Sequence, residues 1–211
     1  MASQRMQQRW SLMIRSALGA VAFAATAAQA NLIQNGDFET GFYAPLWTAA
    51  PGDPNDFVCK AGDPAGATTC IVHGGQYAMT FGKATTPDSF AQTVPTDPGK
   101  TYTLSFWFAN VNATGGNESF AVVWDGQTVY SLAGPQPTFG YASVVVRGLK
   151  ATQTVTTLQF LAMNEPAQWF LDDVIVEPES TAVPTLAGWT LLLVALALLA
   201  TGWRRMRRAS S

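Results

Sequence analysis

Between residues 31 and 180 the hydrophobic positions come in short runs, often at every second residue, and clusters of Gly, Pro, Asp and Asn separate the runs. A period of two is typical of β-strands, and no long run has the spacing of an amphipathic helix. The pattern predicts an all-β domain, a sandwich or jelly roll built from short strands. The predicted strands are 31–33, 76–81, 89–94, 101–110, 119–124, 127–130, 141–149, 154–163 and 169–177. Asp125-Gly126, between two of these runs, predicts a hairpin turn.

Alternation along these strands assigns side chains to the core. The predicted inward sets are Tyr102, Leu104, Phe106 and Phe108; Phe120, Val122 and Trp124; and Phe170, Asp172, Val174 and Val176. On this assignment Asp172 points inward, where a carboxylate is costly unless it has a partner. It therefore needs a metal ion, a basic side chain or backbone donors. Trp107 lies on the opposite face of its strand, beside Thr103 and Ser105.

The first thirty residues have the three parts of a secretory signal. Arg5, Arg9 and Arg15 form a basic n-region, and residues 17–28 are a short apolar run of mostly small residues. Ala28-Gln29-Ala30 fits the A-x-A cleavage pattern. The apolar run is short and alanine-rich for a membrane span. The sequence predicts a signal peptide over residues 1–30 and a mature, exported chain that starts at Asn31.

The C-terminal end has the composition of a membrane anchor. Residues 186–203 carry no charge, and seven of them are Leu. As a helix this segment is about 27 Å long, just enough for the hydrocarbon core of a bilayer. Trp189 and Trp203 bracket it, and four arginines follow directly. Because basic residues stay on the cytoplasmic side, the body between the two ends is expected to face outward.

A short motif precedes this helix and consists of Val183, Pro184, Thr185 and Leu186. Together with Trp189, the Leu-rich helix and the Arg tail, it resembles the IPTL-CTERM sorting signal, a relative of PEP-CTERM in Gram-negative bacteria. Val183 stands where Ile is usual, and Ala187-Gly188 stands where Ser-Glu is usual. The resemblance implies that residues 183–211 are a sorting signal, that an exosortase-type membrane protease cleaves near the motif, and that the body passes to the cell surface. A permanent membrane anchor is the alternative.

The charges are segregated along the chain. The formal net charge is -2, but residues 31–183 contain all fourteen acidic residues and only five basic ones. An acidic body of this kind binds polyanions poorly, so nucleic acid is not an expected partner.

Three segments of the body resemble galactose-binding-like jelly rolls. Residues 31–41, with Trp47 downstream, resemble their opening, and residues 102–110 and 171–174 resemble a middle strand and the final strand. The resemblance implies one such domain over residues 31–180. It also implies a structural Ca²⁺ that joins the first and last strands, since many of these modules carry one. The matching carboxylates are Asp37, Glu39, Asp172 and Asp173, and carboxylates are the ligands that Ca²⁺ prefers. The alternative is that they cap turns or accept backbone hydrogen bonds.

Cys59 and Cys70 are the only cysteines, and they lie in a region, 49–70, that is rich in Asp, Pro and Gly and is predicted as a long loop. In an exported chain an even cysteine count predicts a disulfide. A redox motif is excluded because the spacing is not C-x-x-C, and two cysteines with one histidine do not complete a zinc site.

Little in the sequence points to catalysis. His73 is the only histidine, and the G-x-S-x-G pattern of many Ser-His-Asp hydrolases is absent. His73 is therefore expected to be a loop or edge residue. Two of the acidic residues could in principle form a glycosidase pair, but a domain of this size rarely holds a hydrolase cleft.

Aromatic side chains are the main indication of binding. Sugar rings stack on Trp faces while amides and carboxylates bond the hydroxyl groups. The expected ligand-binding residues are Trp107, Asn110, Asn164, Gln168 and Trp169. The alternative for Trp107 is packing beneath a loop. The sequence thus predicts a non-catalytic surface protein that binds extracellular or envelope polysaccharide. A structural matrix or surface-coat protein that acts through protein contacts is the second hypothesis, and a glycoside hydrolase is the least favoured.

Overall fold

The structure is a computed structural model that describes residues 30–50, 56–82, 86–113, 118–164, 168–179, 193 and 195–198. The chain divides into two compact units, Met1–Ala30 and Asn31–Ser211, and nearly all described residues belong to the second. The predicted signal peptide, apart from Ala30, and the predicted sorting motif at residues 183–186 lie outside the described residues. Of the predicted membrane helix, residues 193 and 195–198 are described, and they are helical. Within the described ranges no helix is long and apolar enough to cross a membrane.

The described residues form twelve β-strands, and most of the predicted strands are among them. The strands are Thr48–Ala50 (β1), Phe57–Lys60 (β2), Pro64–Ala65 (β3), Thr68–Thr69 (β4), Tyr77–Phe81 (β5), Asp88–Pro95 (β6), Thr101–Val111 (β7), Ser119–Trp124 (β8), Gln127–Ala133 (β9), Phe139–Lys150 (β10), Val155–Met163 (β11) and Gln168–Pro178 (β12).

Two antiparallel sheets pack as a sandwich, which confirms the all-β, two-sheet prediction. Sheet A has the strand order β1-β6-β11-β8-β9, and sheet B has the order β10-β7-β12-β5-β2. β3 and β4 form a separate short hairpin. Asp125 and Gly126, predicted as a hairpin turn, connect β8 to β9 with φ angles of 50° and 76°, as a tight hairpin turn requires.

The core between the sheets is largely aromatic. Phe108 of β7 packs on Phe120 of β8 and on Trp169 of β12, with ring centroids 4.8 Å and 5.9 Å apart. Rings at these separations attract each other in addition to the gain from burial. The predicted inward faces of β7 and β8 are confirmed, since every member is at most 2% exposed. These residues are Tyr102, Leu104, Phe106, Phe108, Phe120, Val122 and Trp124.

A β-bulge in β12 changes which of its side chains face the core. The register against β7 shifts between Asp172 and Ile175, and Asp173 has a φ of 48°. One extra residue inverts the alternation of a strand. The prediction that Phe170 and Asp172 share the inward face is therefore wrong, and both lie on the outer side of sheet B. The residues of β12 in the main core are Trp169, Leu171, Val174 and Val176.

Residues 31–33, predicted as a strand, have no regular strand structure. The side chain of Asn31 instead bonds the backbone of β12. Asn31 Nδ2 donates to Val174 O at 3.0 Å, and Val176 N donates to Asn31 Oδ1 at 3.0 Å. Leu32 N donates to Val176 O at 2.9 Å. Because the amide of Asn31 takes the place of backbone partners, the prediction of a regular strand here is wrong.

The predicted disulfide between Cys59 and Cys70 is confirmed. The described part of the region 49–70, predicted as a long loop, instead contains β2 and the β3–β4 hairpin. Both cysteines and Ala65 pack with Ala109 and Phe170 in a second, smaller core on the outer side of sheet B. The disulfide thus holds the hairpin against this sheet.

Candidate functional site

The outer face of sheet B has a covered half and an open half. The β3–β4 hairpin and residues 71–75 lie over the covered half, where Ala109 is fully buried. In the open half, Val145 of β10, Ser105 of β7 and Ile175 of β12 are direct neighbours across three strands. Val145 is 52% exposed and Ile175 is 36% exposed. We call these three residues the open row.

Trp107 lies at the border between the two halves. It is paired with Ser143 of β10 and Asp172 of β12, beside the open row. Its side chain is half-buried, and the imidazole of His73 stacks on the indole with ring centroids 3.8 Å apart and 13° between the planes. Tyr141 meets the His73 ring edge-on at 5.6 Å. Trp107 therefore packs partly beneath a loop residue and partly borders the solvent.

Two consecutive aspartates hold His73 over the indole. His73 Nδ1 lies 2.6 Å from Asp173 Oδ2, and His73 N donates to Asp172 Oδ2 at 2.8 Å. The positive φ of Asp173 belongs to the bulge that brings both carboxylates to the same loop. The side chains of His73 and Asp173 are 31% and 32% exposed, so a ligand on this face can reach both.

Asp172 is fully buried, and backbone donors satisfy it. Its Oδ2 accepts from His73 N at 2.8 Å and from Gly74 N at 3.2 Å, and its Oδ1 accepts from Asp173 N at 2.8 Å. Of the three kinds of partner expected for this carboxylate, the structure provides backbone donors. Burial raises the pKa of Asp172 to about 6; the charge of Asp173 adds to the rise, and the backbone hydrogen bonds oppose it.

The raised pKa of Asp172 predicts a stability that depends on pH. The ordinary pKa of this group is 3.8, so the folded state binds more protons than the unfolded state up to a pH of about 6. Stability therefore falls as the pH rises through this window. We expect wild type to lose of order 1–3 kcal/mol relative to Asp172→Asn between pH of about 4 and about 7. Urea denaturation at each pH measures this difference, and a constant difference would contradict the raised pKa.

Tyr141 closes the covered side of the cluster. Its hydroxyl donates to Ile71 O at 3.1 Å. Burial raises the pKa of Tyr141, and the charges of Asp172 and Asp173 raise it further. Tyr141 therefore stays neutral and acts as a hydrogen-bond donor that fixes the start of the loop carrying His73.

The other four residues predicted to contact a ligand are buried in the interior. Trp169 lies in the core, and its Nε1 donates to Met163 O at 3.1 Å. The remaining three are amides, and each side chain makes at least one hydrogen bond inside the protein. Asn164 donates to Asn110, and Thr80 donates to Gln168. The structure does not bring these four residues to the surface with Trp107, and ligand contact by them stays untested. The four residues are Asn110, Asn164, Gln168 and Trp169.

The carboxylates predicted to bind calcium have hydrogen-bond donors nearby. Glu39 Oε1 accepts from Gln76 N at 2.8 Å and from Tyr77 N at 2.9 Å, and Asp37 Oδ1 lies 3.4 Å from Glu39 N. In the part of the chain that the structure describes, no three His, Cys, Asp or Glu residues group in a way that could hold a metal ion. Calcium binding at Asp37, Glu39, Asp172 and Asp173 therefore stays a prediction.

The arrangement of Asp172 and Asp173 is unsuitable for glycoside hydrolysis. A glycosidase needs two carboxyl groups that face the scissile bond from opposite sides. Asp172 is buried and accepts three backbone hydrogen bonds, and only its neighbour Asp173 reaches solvent. These two carboxylates cannot act as such a pair in this geometry.

No protein-family profile matches the chain, and no curated protein sequence matches it. Several solved structures share its fold. The carbohydrate-binding module TmCBM61, solved in complex with β-1,4-galactotriose, superposes with a TM-score of 0.54 and 22% identity over 71% of this chain and 99% of that one. The K3 cleaved adhesin domain of Lys-gingipain from Porphyromonas gingivalis superposes with a TM-score of 0.52 and 16% identity, over 69% of this chain and 98% of that one. A Stig cyclase from Fischerella superposes with a TM-score of 0.50 and 13% identity, over 72% of this chain and 98% of that one.

These similarities establish the two-sheet fold and do not by themselves assign an activity. The three structures are a carbohydrate-binding module, an adhesin domain and a cyclase. One fold therefore hosts several functions, and the function of this chain depends on the residues of its own site.

Proposed function

We propose that this protein is a non-catalytic carbohydrate-binding protein and that it binds polysaccharide on the outer face of sheet B, at Trp107. An open sheet face that carries a half-buried aromatic ring suits a polymer better than a closed cavity would. The likeness of the fold to a carbohydrate-binding module supports the class. Within the β-sandwich folds, we propose that the domain belongs to the galactose-binding-like jelly rolls.

The position of Trp107 is the observation that carries the proposal. Its half-buried indole borders the open row, whose Val145 and Ile175 are exposed apolar side chains. The apolar C–H face of a sugar ring gains from contact with such a surface. Ser143 beside Trp107 and the accessible carboxylate of Asp173 supply hydrogen-bonding groups for sugar hydroxyls.

The charge of the body favours a neutral polysaccharide. The accessible carboxylate of Asp173 lies beside the imidazole of His73, and the buried Asp172 places a second carboxylate beneath it. Residues 31–183 as a whole are strongly acidic. An anionic polymer would be repelled by this field.

The remaining parts of the proposal concern export and localisation. The chain would be exported by its signal peptide and held at the membrane by its C-terminal helix. An exosortase-type protease would recognise the motif at residues 183–186, and the body would reach the cell surface or the extracellular space of a Gram-negative bacterium. The signal peptide and the helix are supported by the composition of the two chain ends, and the protease by the resemblance of residues 183–211 to the sorting signal.

Affinity electrophoresis tests the binding proposal. Gels that contain galactan, glucan, xylan or alginate are run with wild type, with Trp107→Ala and with Phe42→Ala. We expect a neutral polysaccharide to retard wild type and Phe42→Ala, and Trp107→Ala to weaken binding about ten-fold or more. Phe42 is the matched control because it is an aromatic side chain that is 74% exposed.

Two outcomes would overturn the proposal. One is that no polysaccharide retards wild type. The other is equal retardation of wild type and Trp107→Ala.

The second candidate function is a structural surface protein that acts through protein contacts. The exposed apolar side chains favour it, because Phe42 and Val155 are 74% and 55% exposed. It predicts self-association of the purified protein and no retardation by any polysaccharide, which sedimentation analysis and the same gels distinguish.

A further inference from the structure

An open cleft at the end of the sandwich lies apart from the Trp107 face. It has a volume of about 500 Å³ and is formed by the β8–β9 hairpin of sheet A and the last residues of β10 in sheet B. This volume is in the range of small-molecule sites, roughly 300–1,000 Å³. The side chains that matter for binding are Trp124, Gln127, Val129, Leu149, Lys150 and Gln153. We propose that this cleft is a second binding site, which takes a single neutral sugar residue.

The walls of the cleft are held in place by hydrogen bonds between the two sheets. Trp124 Nε1 donates to Lys150 O at 3.0 Å, which joins β8 to β10. Asp125 Oδ2 accepts from Thr152 N at 3.3 Å and from Thr152 Oγ1 at 2.6 Å. The tip of the hairpin is thus fixed to the turn after β10. A site whose walls are fixed in advance loses little entropy when a ligand binds.

The lining combines an apolar floor with unused polar groups. Trp124 and Leu149 are only 2% and 4% exposed and support the cleft from below, and the half-buried Val129 supplies apolar surface that a ligand can contact. Gln127, Lys150 and Gln153 are exposed, and their side chains form no hydrogen bond within the described ranges. Two amides and one ammonium group can each bond hydroxyl groups, and the amides can both donate and accept.

The charges of the cleft favour an uncharged ligand. Lys150 contributes one positive charge and Asp125 one negative charge, so the lining is neutral overall. An anionic ligand would meet the carboxylate of Asp125, and a purely apolar ligand would leave the amides without partners. A hydroxyl-rich ring with one apolar face satisfies both the floor and the polar rim. A neutral pyranose has this chemistry.

The cleft is separate from the proposed polysaccharide face. It is lined by the β8–β9 hairpin of sheet A and by residues 148–153 at the end of β10, whereas Trp107 and the open row lie on the outside of sheet B. A protein with two sites could hold a chain along its face and a sugar end in its cleft. Two weak sites on one body give a much higher avidity for a polymer than either alone.

A titration followed by NMR tests the cleft on the full chain. The probes are galactose, glucose, N-acetylglucosamine and galacturonic acid, each as the monosaccharide. We expect at least one neutral sugar to shift the indole N–H signal of Trp124 and the side-chain amides of Gln127 and Gln153. Lys150→Gln and Gln153→Ala should each weaken this binding about five-fold, the loss expected for one hydrogen bond.

Two controls make the result specific. Lys60→Gln removes an exposed cation outside the cleft and should leave the binding unchanged. Trp107→Ala should also leave it unchanged, even where it abolishes polysaccharide binding, so that the two sites fail independently. The absence of shifts at the cleft with every neutral sugar would overturn the proposal, and so would tighter binding of galacturonic acid than of galactose.

Discussion

Replacing Asp172 by alanine is expected to lower the free energy of unfolding by about 2–4 kcal/mol, because three backbone N–H groups lose their acceptor. His73, Gly74 and Asp173 donate to this one carboxylate, which is fully buried. The loop that carries His73 should therefore detach from sheet B, and the His73 ring should leave the indole of Trp107. Urea denaturation measures the loss.

Asp172→Asn is the matched variant. Its one amide oxygen can still accept from His73 N and Gly74 N, but its NH₂ group then faces Asp173 N, which is also a donor. Its loss of stability at neutral pH should be smaller than that of Asp172→Ala. Equal stability of Asp172→Ala and wild type would contradict the role assigned to the carboxylate.

Gly36→Ala is expected to cost about 2–4 kcal/mol, because the backbone of β12 leaves no room for a methyl group. A Cβ atom at this position would lie 2.1 Å from Val174 O. Val174 N also donates to Gly36 O at 2.8 Å, and Val174 O already accepts from Asn31. The substitution therefore pushes the opening segment away from the last strand. Thermal and urea unfolding measure the loss.

Gly140→Ala is the control for this substitution. Gly140 is exposed, and a Cβ atom there would have no heavy atom within 4 Å. Its φ is not in the left-handed region, so alanine should be neutral within about 0.5 kcal/mol. A loss at Gly140 equal to that at Gly36 would show that the close approach to Val174 is not the cause.

The regular strands could be predicted because their signal is local. Phe106, Phe108 and Phe120 alternate with polar or small residues, and their burial follows from a period of two. The Asp125–Gly126 turn and the disulfide were predicted on equally local grounds, turn chemistry for the first and cysteine count with export for the second. The short strands β1 to β4 were missed because two to four residues carry too weak a pattern.

The details of the site could not be predicted because they depend on long-range packing. The bulge at Asp172 and Asp173 inverts one strand, and nothing in the alternation of that strand alone reveals it. His73 was expected to be an unremarkable loop residue, yet it stacks on Trp107, more than thirty positions away in the sequence. The two glycines after His73 are the only local hint, since Gly74 approaches Asp173 closely. The three amides Asn110, Asn164 and Gln168 lie near strand ends. In the sequence alone, an amide at such a position can either bond inside the protein or face the solvent.

Hydroxyl-radical footprinting locates the bound polysaccharide on the protein and shows whether it covers Trp107. The protein is oxidised with and without the polysaccharide that retards it most strongly on gels, and mass spectrometry measures oxidation at each aromatic residue. We predict that the polysaccharide protects Trp107 and leaves the oxidation of Phe42 unchanged. Unchanged oxidation of Trp107 at a saturating concentration of the bound polysaccharide would contradict binding at Trp107.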